Sequence, residues 1–438
     1  MYCINVPQPL LHLLNHYRHL ALKTIDEYQI RAYHCSNILH IAGNYLCIDI
    51  TMHVPNSILI INIGSSSIKF AVFNAERPSY AVLRGSFKTE ANNTIFSVYQ
   101  ADKEISESLT INSTKECIDY LVNWFKSNLS LSIKAVGHRL VHGGNNYHLP
   151  TIITNEIIEQ LKCSIPFAPE HLPNAIAAIE RMREHYSHLP HIACFDTAFH
   201  WEMPEVAHKL PLPKEITEGG IKKYGFHGLS YEYIYASLRT KYSDIQQKKI
   251  VIAHLGSGAS MVAIKNGKSI DTSMGFTPAG GLIMSSRTGD IDPGVLIYLL
   301  QHHNYTAHQL NELLNHQSGL KGISGLSGDM QELMKRANDT NAQLAINMFC
   351  YQAKKHLGAL IAILGGIDVL VFTGGIGEKA GAIRSSICKG MEYAGLQINE
   401  ALNKKNAYTI SSELSKAMVH VIPTDEEYAI AQHIIDLI

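Results

Sequence analysis

The chain has 438 residues, 46% of them hydrophobic and 17% charged, with a formal net charge of -1. That length sets an expectation of two to three domains, and the composition provides for a sizeable core. A near-neutral chain without a basic cluster argues against nucleic acid or an anionic membrane surface as partner, and no apolar run reaches the roughly 18–20 residues of a spanning helix. The eight cysteines are scattered without a CxxC pair, which suits a reducing, cytoplasmic setting.

The N-terminal segment differs from the rest. PLLHLLNHYRHLALKTI has the spacing of an amphipathic helix. It lacks the charged start, apolar middle and cleavage site of a secretory signal. We read residues 1–51 as lying outside the catalytic body, with Met52 just ahead of its first strand. The 24 histidines include HxxxH pairs at His12–His16 and His138–His142, but no HExxH occurs. Most of them read as core or surface residues.

From Ser57 onward the elements follow in turn. Ser57–Ile63 and Ile68–Phe73 read as paired strands around a Gly-Ser turn. Glu116–Ser127 reads as a helix and Lys134–Val141 as a strand running into HGG. Helices are expected over Asn155–Leu161 and Leu172–His185, then a strand over His191–Phe195 that ends at Asp196. Tyr231–Lys241 reads as a helix. Lys249–Ile264 and Lys268–Asp271 read as a strand meander, turned by Asn266-Gly267. Helices over Pro293–His302 and Gln343–Leu364 precede a buried strand, Asp368–Phe372, and Glu426–Ile435 closes the chain. Strands and helices mix throughout, so the class is α/β.

One unit occurs twice. ILIINIGSSSIKFAVF and IVIAHLGSGASMVAIKNGKSID are each an apolar strand, a turn of glycine and small residues, and a second apolar strand. Such turns bring backbone N–H groups and hydroxyls close to an oxyanion. A plain hairpin is the alternative for the first copy, but Asn62 and Lys69 bracket Ser65 and Ser67, and lysine serves as a point charge for phosphate. Arg139 in GHRLVHGG and Arg287 in SRTGDIDPG sit in glycine-flanked, otherwise apolar stretches, which suits bidentate recognition of carboxylate and phosphate. Asp196 at a strand's C-terminal end is placed for a metal or base, or else as a helix cap. VFTGGIGE offers a strand-to-helix turn without GxGxxG spacing. No GxxxxGK[ST] occurs, so neither a Rossmann nor a P-loop enzyme is supported. Asp425, Glu426 and Glu427 open the last helix, where dipole complementarity alone also accounts for acids.

INIGSSSIKF, GHRLVHGG, FDTAFH, KKYGFHGLSY, AHLGSGAS, DTSMGFTP, SRTGDIDPG, GISGLSGD, VFTGGIGE and IPTDEE, in this order from about Ser57 to the C-terminus, resemble the acetate kinase (acetokinase) family of the actin/Hsp70/sugar-kinase superfamily. The resemblance implies two actin-like (ribonuclease H-like) domains with a duplicated mixed-sheet core and a cleft between them. The expected division is an extension of unknown role at 1–56, a first domain at 57–198 completed by the helix 427–438, and a second, nucleotide-binding domain at 199–426. The implied reaction is reversible, ATP-dependent phosphorylation of acetate or propionate by direct in-line transfer, with Mg²⁺ or Mn²⁺, in a cytoplasmic homodimer.

The same resemblance assigns roles. Asp196, Arg139, Arg287 and His227 would be catalytic. Arg139, Val141, His171, Phe226 and Pro278 would contact the acid. Ser65, Ser67, Lys69, His254, Gly256, Ser257, Gly258, Asp329, Gly374, Gly375, Ile376, Gly377 and Glu378 would bind nucleotide, and Asn62 and Glu426 metal. Departures from the family pattern are Ser257 and Ala259 in the second phosphate loop, Gln331, Lys379, Glu170 before His171, and Gly280. Retention of the charged positions argues against a nucleotide-binding regulator without turnover. A sugar kinase would need a base for its hydroxyl. Glu170 is expected to turn away from the acyl pocket or to pair with Arg139 or His171.

Overall fold

The structure is a computed structural model that describes residues 2–5, 38–42, 45–49, 53–64, 67–76, 78, 80–90, 93–100, 103–336 and 338–438. The expected helix over PLLHLLNHYRHLALKTI and the His12–His16 pair lie outside these residues. The chain falls into two compact units, one of residues 1–138, 174–192 and 434–438, the other of residues 139–173 and 193–433. No described helix is long and apolar enough to cross a membrane.

In the first unit, β1 (Tyr2–Asn5), β2 (Ile38–Ala42) and β3 (Tyr45–Asp49) make an antiparallel sheet of their own in the order β1-β3-β2. β4 (His53–Ile63) pairs antiparallel with β5 (Ser67–Asn74), and the meander continues through β6 (Ala81–Glu90), β7 (Asn93–Gln100) and β8 (Lys103–Leu109). The sequence reading stops at Phe73 and misses β6–β8. Their signal is a short period of two: Leu83, Gly85 and Phe87 are buried between half-exposed Arg84 and Ser86. The helix Thr114–Asn128 begins in a reciprocal capping box. Ser113 Oγ accepts from the Glu116 N–H at 3.2 Å, and the Glu116 carboxylate accepts from the Ser113 N–H at 2.9 Å. It buries Cys117, Ile118, Leu121, Val122 and Phe125, and its Phe125 and Trp124 rings pack on Phe70 and Phe96 from the sheet. β9 (Ser130–Leu140) lies beside β4 and runs out of this unit at its last residues.

The second unit holds the short strand β10 (Thr151–Ile152) and the end of β11 (His191–Phe195). Its sheet is built from β12 (Ile250–Leu255), β13 (Ala259–Lys265), β14 (Lys268–Thr272), β15 (Val369–Thr373) and β16 (Met418–Val421), in the order β14-β13-β12-β15-β16. β12 runs antiparallel to β13 and parallel to β15, so the sheet is mixed. Asn266 and Gly267, with φ of 54° and 77°, make the expected turn between β13 and β14, a conformation few other residue pairs adopt. All six residues of β12 are buried, the pattern of a strand covered on both faces. Tyr231, Ile234 and Leu238 of the helix Gly228–Lys241 pack on Ile250, Ile252, Val262 and Val371. The helix Thr340–Leu364 lays Ala342, Ala345, Phe349, Ala353 and Leu357, spaced three and four apart, toward β12 and β13.

The duplication seen in the sequence is therefore structural. In each unit a buried strand turns back on itself through glycine, whose N–H closes the turn: Gly64 to the Ser67 carbonyl at 2.8 Å, and Gly256 to the Gly258 carbonyl at 3.0 Å. The expected α/β class, with two mixed α/β bodies, is what the chain forms.

Candidate active site

The second unit gathers most of the charged candidates. The Asp196 N–H donates to the Leu140 carbonyl at 3.0 Å, which aligns the end of β11 with the end of β9 and brings Asp196 to Arg139. The guanidinium donates twice to the carboxylate, Nη2 to Oδ2 at 2.6 Å and Nε to Oδ1 at 3.1 Å. Glu426 Oε2 lies 3.7 Å from Arg139 Nε. Burial opposes the guanidinium's charge, but Asp196 and Glu426 outweigh it and hold Arg139 firmly protonated. Burial lifts the Asp196 carboxyl above its ordinary value, against the pull of Arg139. Two-point bonding to a permanent cation favours the ionised pair. The helix-cap reading of the Asp196 carboxylate does not hold: neither Ala198–His200 nor the helix Gly228–Lys241 has a side-chain cap, and it is the Asp196 carbonyl that accepts from Gly228 N–H, at 2.9 Å. Asp425 caps the last helix, accepting from Tyr428 N–H at 2.9 Å.

Arg287 is held differently. It donates to the Pro278 carbonyl through Nη1 at 3.2 Å and to His171 Nε2 through Nη2 at 3.2 Å. Burial, then the nearby charges of Arg287 and Arg139, push His171 down to about 3. Its ring is thus neutral and accepts at Nε2. Among the described residues no carboxylate forms an ion pair with Arg287, and burial lowers the guanidinium's own value. A half-buried cation held by neutral groups is suited to an anionic ligand.

Of the two alternatives expected for Glu170, pairing with Arg139 or His171 is not the one found. It pairs with neither Arg139 nor His171. Its Oε1 accepts from Asn311 Nδ2 at 2.7 Å and its Oε2 faces His316 Nε2 at 3.0 Å. The Asn311 bond, helped by His316, holds the carboxyl below its ordinary value in spite of burial. His316 belongs to a π-helical turn, Leu313–Gln317, that follows the helix Ala307–Glu312. Nothing in the sequence reading singled out Asn311 or His316; an unexplained acid beside a site histidine was the only signal.

His227 and His254 lie face to face, with ring centroids 4.3 Å apart and planes at 18°. His227 has φ of 61°, an uncommon backbone state that persists where neighbours over-determine it. Its Nδ1 meets Ser260 Oγ at 2.8 Å, and His254 Nδ1 meets Ser230 Oγ at 2.8 Å. Burial first, then His254, Arg139 and Arg287, hold His227 far below its ordinary value, so the ring is neutral. A Cβ added to Gly258 would stand 3.2 Å from His227 Nε2 and 3.9 Å from Arg287 Nη1. The glycine therefore lets the phosphate-loop backbone reach both groups.

The two glycine turns of this unit adjoin: a Cβ on Gly256 would lie 3.9 Å from Gly375 N. Gly374–Lys379 is a short helix in which the Gly374 N–H donates to Glu378 Oε1 at 3.0 Å, and the same oxygen accepts from Thr424 N–H at 3.2 Å. Gly375 has open space where a side chain would be, which fits a flat surface for a purine. Ile376 and Gly377 complete this turn, and the buried Arg384 donates to the Gly377 carbonyl at 2.7 Å. Ser257 is exposed at the loop tip. Val141, Phe226 and Pro278 are buried, and the Phe226 ring packs on His142 with centroids 5.7 Å apart. Asp329 is the exposed cap of the helix Met330–Lys335, accepting from Glu332 N–H at 2.8 Å.

Asn62, Ser67 and Lys69 belong to the first unit. Asn62 is buried on β4 directly opposite Lys69 on β5. Ser65 lies outside the described residues. Among the described residues no three His, Cys, Asp or Glu side chains form a metal cage. Magnesium bound through one or two carboxylates and nucleotide phosphates needs none. The hard carboxylate oxygens of Glu426 beside Arg139 fit such an ion.

Residues 57–432 match the Acetokinase family. The chain belongs to the acetokinase family. Acetate kinase of Rickettsia akari is 38% identical over 379 residues, covering 86% of this chain and 98% of that protein. Acetate kinase of Rhodopseudomonas palustris is 41% identical over 387 residues, covering 86% and 97%. The crystal structure of Porphyromonas gingivalis acetate kinase superposes with a TM-score of 0.78 at 35% identity, and that of a propionate kinase from Francisella tularensis with 0.81 at 36%; each covers 86% of this chain and 98% of the other. The fold is thus the actin-like fold of the acetokinases. The chain is a phosphotransferase with a carboxyl group as acceptor.

Proposed function

We propose that this acetokinase transfers the γ-phosphoryl group of ATP to acetate or propionate, reversibly, giving the acyl phosphate and ADP. The observation that carries the proposal is Arg287, a half-buried guanidinium bonded among the described residues to neutral groups and set beside His227 and the Gly256–Gly258 turn. A carboxylate is already a nucleophile at neutral pH. Its oxygen attacks the γ-phosphorus, the bond to the ADP oxygen breaks, and no proton need move. The difficulty is the repulsion between two anions, which cationic and N–H groups offset as charge spreads over the equatorial oxygens.

In this reading Arg139 and Arg287 orient the acid and the transferring group. Val141, His171, Phe226 and Pro278 surround the acyl chain. Asp196 fixes the Arg139 fork. His254 and the Gly256–Gly258 and Gly374–Glu378 turns of the second unit hold the nucleotide, with Asp329 near the adenosine. Glu426 would hold Mg²⁺, or Mn²⁺, which supplies neutralisation of phosphate charge when bound. The test is hydroxylamine trapping of acyl phosphate with ATP, Mg²⁺ and acids of two to four carbons. Turnover is expected with acetate or propionate, and no product with any acid would refute the proposal.

The same proposal makes the enzyme a cytoplasmic homodimer. The helix Pro293–His302 buries none of its residues and exposes Val295, Ile297, Tyr298 and Leu300, an apolar face of the kind that marks association. Sedimentation should show a dimer that Ile297→Asp splits into monomers.

A further inference from the structure

We infer that Tyr231 and Ser260 are positioning residues that fix His227 in its Nε2–H tautomer, so that the ring donates, rather than accepts, a hydrogen bond at the phosphate loop. The inference rests on the assignment of His227 to the phosphoryl site and deepens it.

The argument is a count of protons along a buried chain. Tyr231 is fully buried, and its phenol meets Ser260 Oγ, its hydrogen-bond partner among the described residues. Burial pushes the phenol up, so it keeps its proton. An unbonded O–H in the interior is strongly unfavourable, so the phenol donates to Ser260. Ser260 has one proton of its own, and its remaining partner is His227 Nδ1 at 2.8 Å. That proton goes to Nδ1, which must then be the bare nitrogen of a neutral ring. The ring proton is left on Nε2, the atom that faces the position of a Cβ on Gly258 at 3.2 Å and shares that loop with Arg287. The reverse polarity would leave the Tyr231 proton without an acceptor and turn a lone pair toward the phosphate oxygens.

A second relay has the same form. Thr424 Oγ1 donates to Ser230 Oγ at 2.8 Å, and Ser230 meets His254 Nδ1 at 2.8 Å. Two stacked imidazoles thus each have Nδ1 engaged by a serine that is itself the acceptor of another hydroxyl.

The experiment is long-range ¹⁵N–¹H correlation on the full chain labelled at histidine, with the His227 signal assigned from its loss in His227→Asn. Wild type is expected to show a protonated Nε2 and a bare Nδ1 at His227. Tyr231→Phe, which removes one oxygen, frees Ser260 to accept from the ring. It should shift His227 toward the Nδ1–H tautomer and lower kcat about tenfold or more, with KM for ATP and for the acid changed less than about threefold. Ser260→Ala should lower kcat at least as much. A wild-type Nδ1–H tautomer overturns the inference, as does a Tyr231→Phe enzyme with unaltered tautomer and kcat. The wild-type spectrum decides even if a variant fails to fold, and it is independent of turnover. Absence of acyl phosphate from wild type would instead count against the proposed reaction.

Discussion

Arg139 and Asp196 meet through two parallel N–H···O bonds in a buried setting, whereas Arg287 bonds to a carbonyl, an imidazole and the Met284 sulfur. The two arginines of the site therefore differ in what their removal leaves behind. Arg139→Ala strands a buried carboxylate and should destabilise the fold by about 3–5 kcal/mol as well as lowering kcat about 10²-fold or more. Arg287→Ala should lower kcat comparably and leave the melting temperature nearly unchanged. Calorimetry alongside the acyl phosphate assay separates the two effects; equal losses of stability would contradict the difference in bonding.

Asp196→Asn should reduce turnover at least as much as Arg139→Ala. The amide keeps the shape but loses the charge and one of the two acceptors, so the Arg139 fork is no longer held at both oxygens. Unchanged kcat in this variant would show that the pair is structural only.

Acid should unfold the protein early. Burial, named first among the causes for each, holds His142, His191, His200 and His420 at about 4, and His171 at about 3. Each takes up a proton in the unfolded chain near pH 6.5, before it does so in the folded one. Between pH 6.5 and about 4 the unfolded state binds more protons, so stability falls with falling pH by about 1.4 kcal/mol per unit for each such histidine. A melting temperature constant from pH 7 to pH 5 would contradict this.

Glu170→Leu should lower the melting temperature by a few degrees and leave kcat at pH 7 within about threefold, because the partners of Glu170 are Asn311 and His316, not the arginines. Its carboxyl lies below its ordinary value, so its contribution is present above that value and is lost as pH falls through the lowered one. A tenfold fall in kcat without a change in melting temperature would mean that Glu170 acts on the substrate.

Removal of residues 1–51 should leave folding and turnover intact. β1, β2 and β3 form a sheet separate from that of β4, and the family match begins at residue 57. Insoluble protein after truncation would show that the segment packs on the body.

Much of this was legible in the sequence because apolar runs and glycine turns report directly on strands and hairpins. The ends at Phe195 and His302, and the Asn266-Gly267 turn, are where the local chemistry puts them. β6–β8 were not, since short alternation over half-exposed strands is a weak signal. Arg139, Asp196, Arg287 and His227 stood out as charged residues in apolar or glycine-rich stretches. Tyr231, Ser260, Asn311 and His316 did not, because a hydroxyl or an amide shows its role only when folding supplies a partner far along the chain.

The π-helical turn at Leu313–Gln317 has a geometric consequence. At the roughly 100° per residue of an α-helix, positions five apart point about 140° away from each other. Widening the turn to roughly 80° per residue brings them back to within about 40°. Asn311 and His316 are five apart, yet each reaches one oxygen of the same Glu170. The widened turn thus acts as a one-residue change of phase that lets a single strand of helix close on a carboxylate like a pair of tweezers. Deleting one residue between the two jaws would restore the tighter winding and leave them four apart, within about 40° of each other on one face.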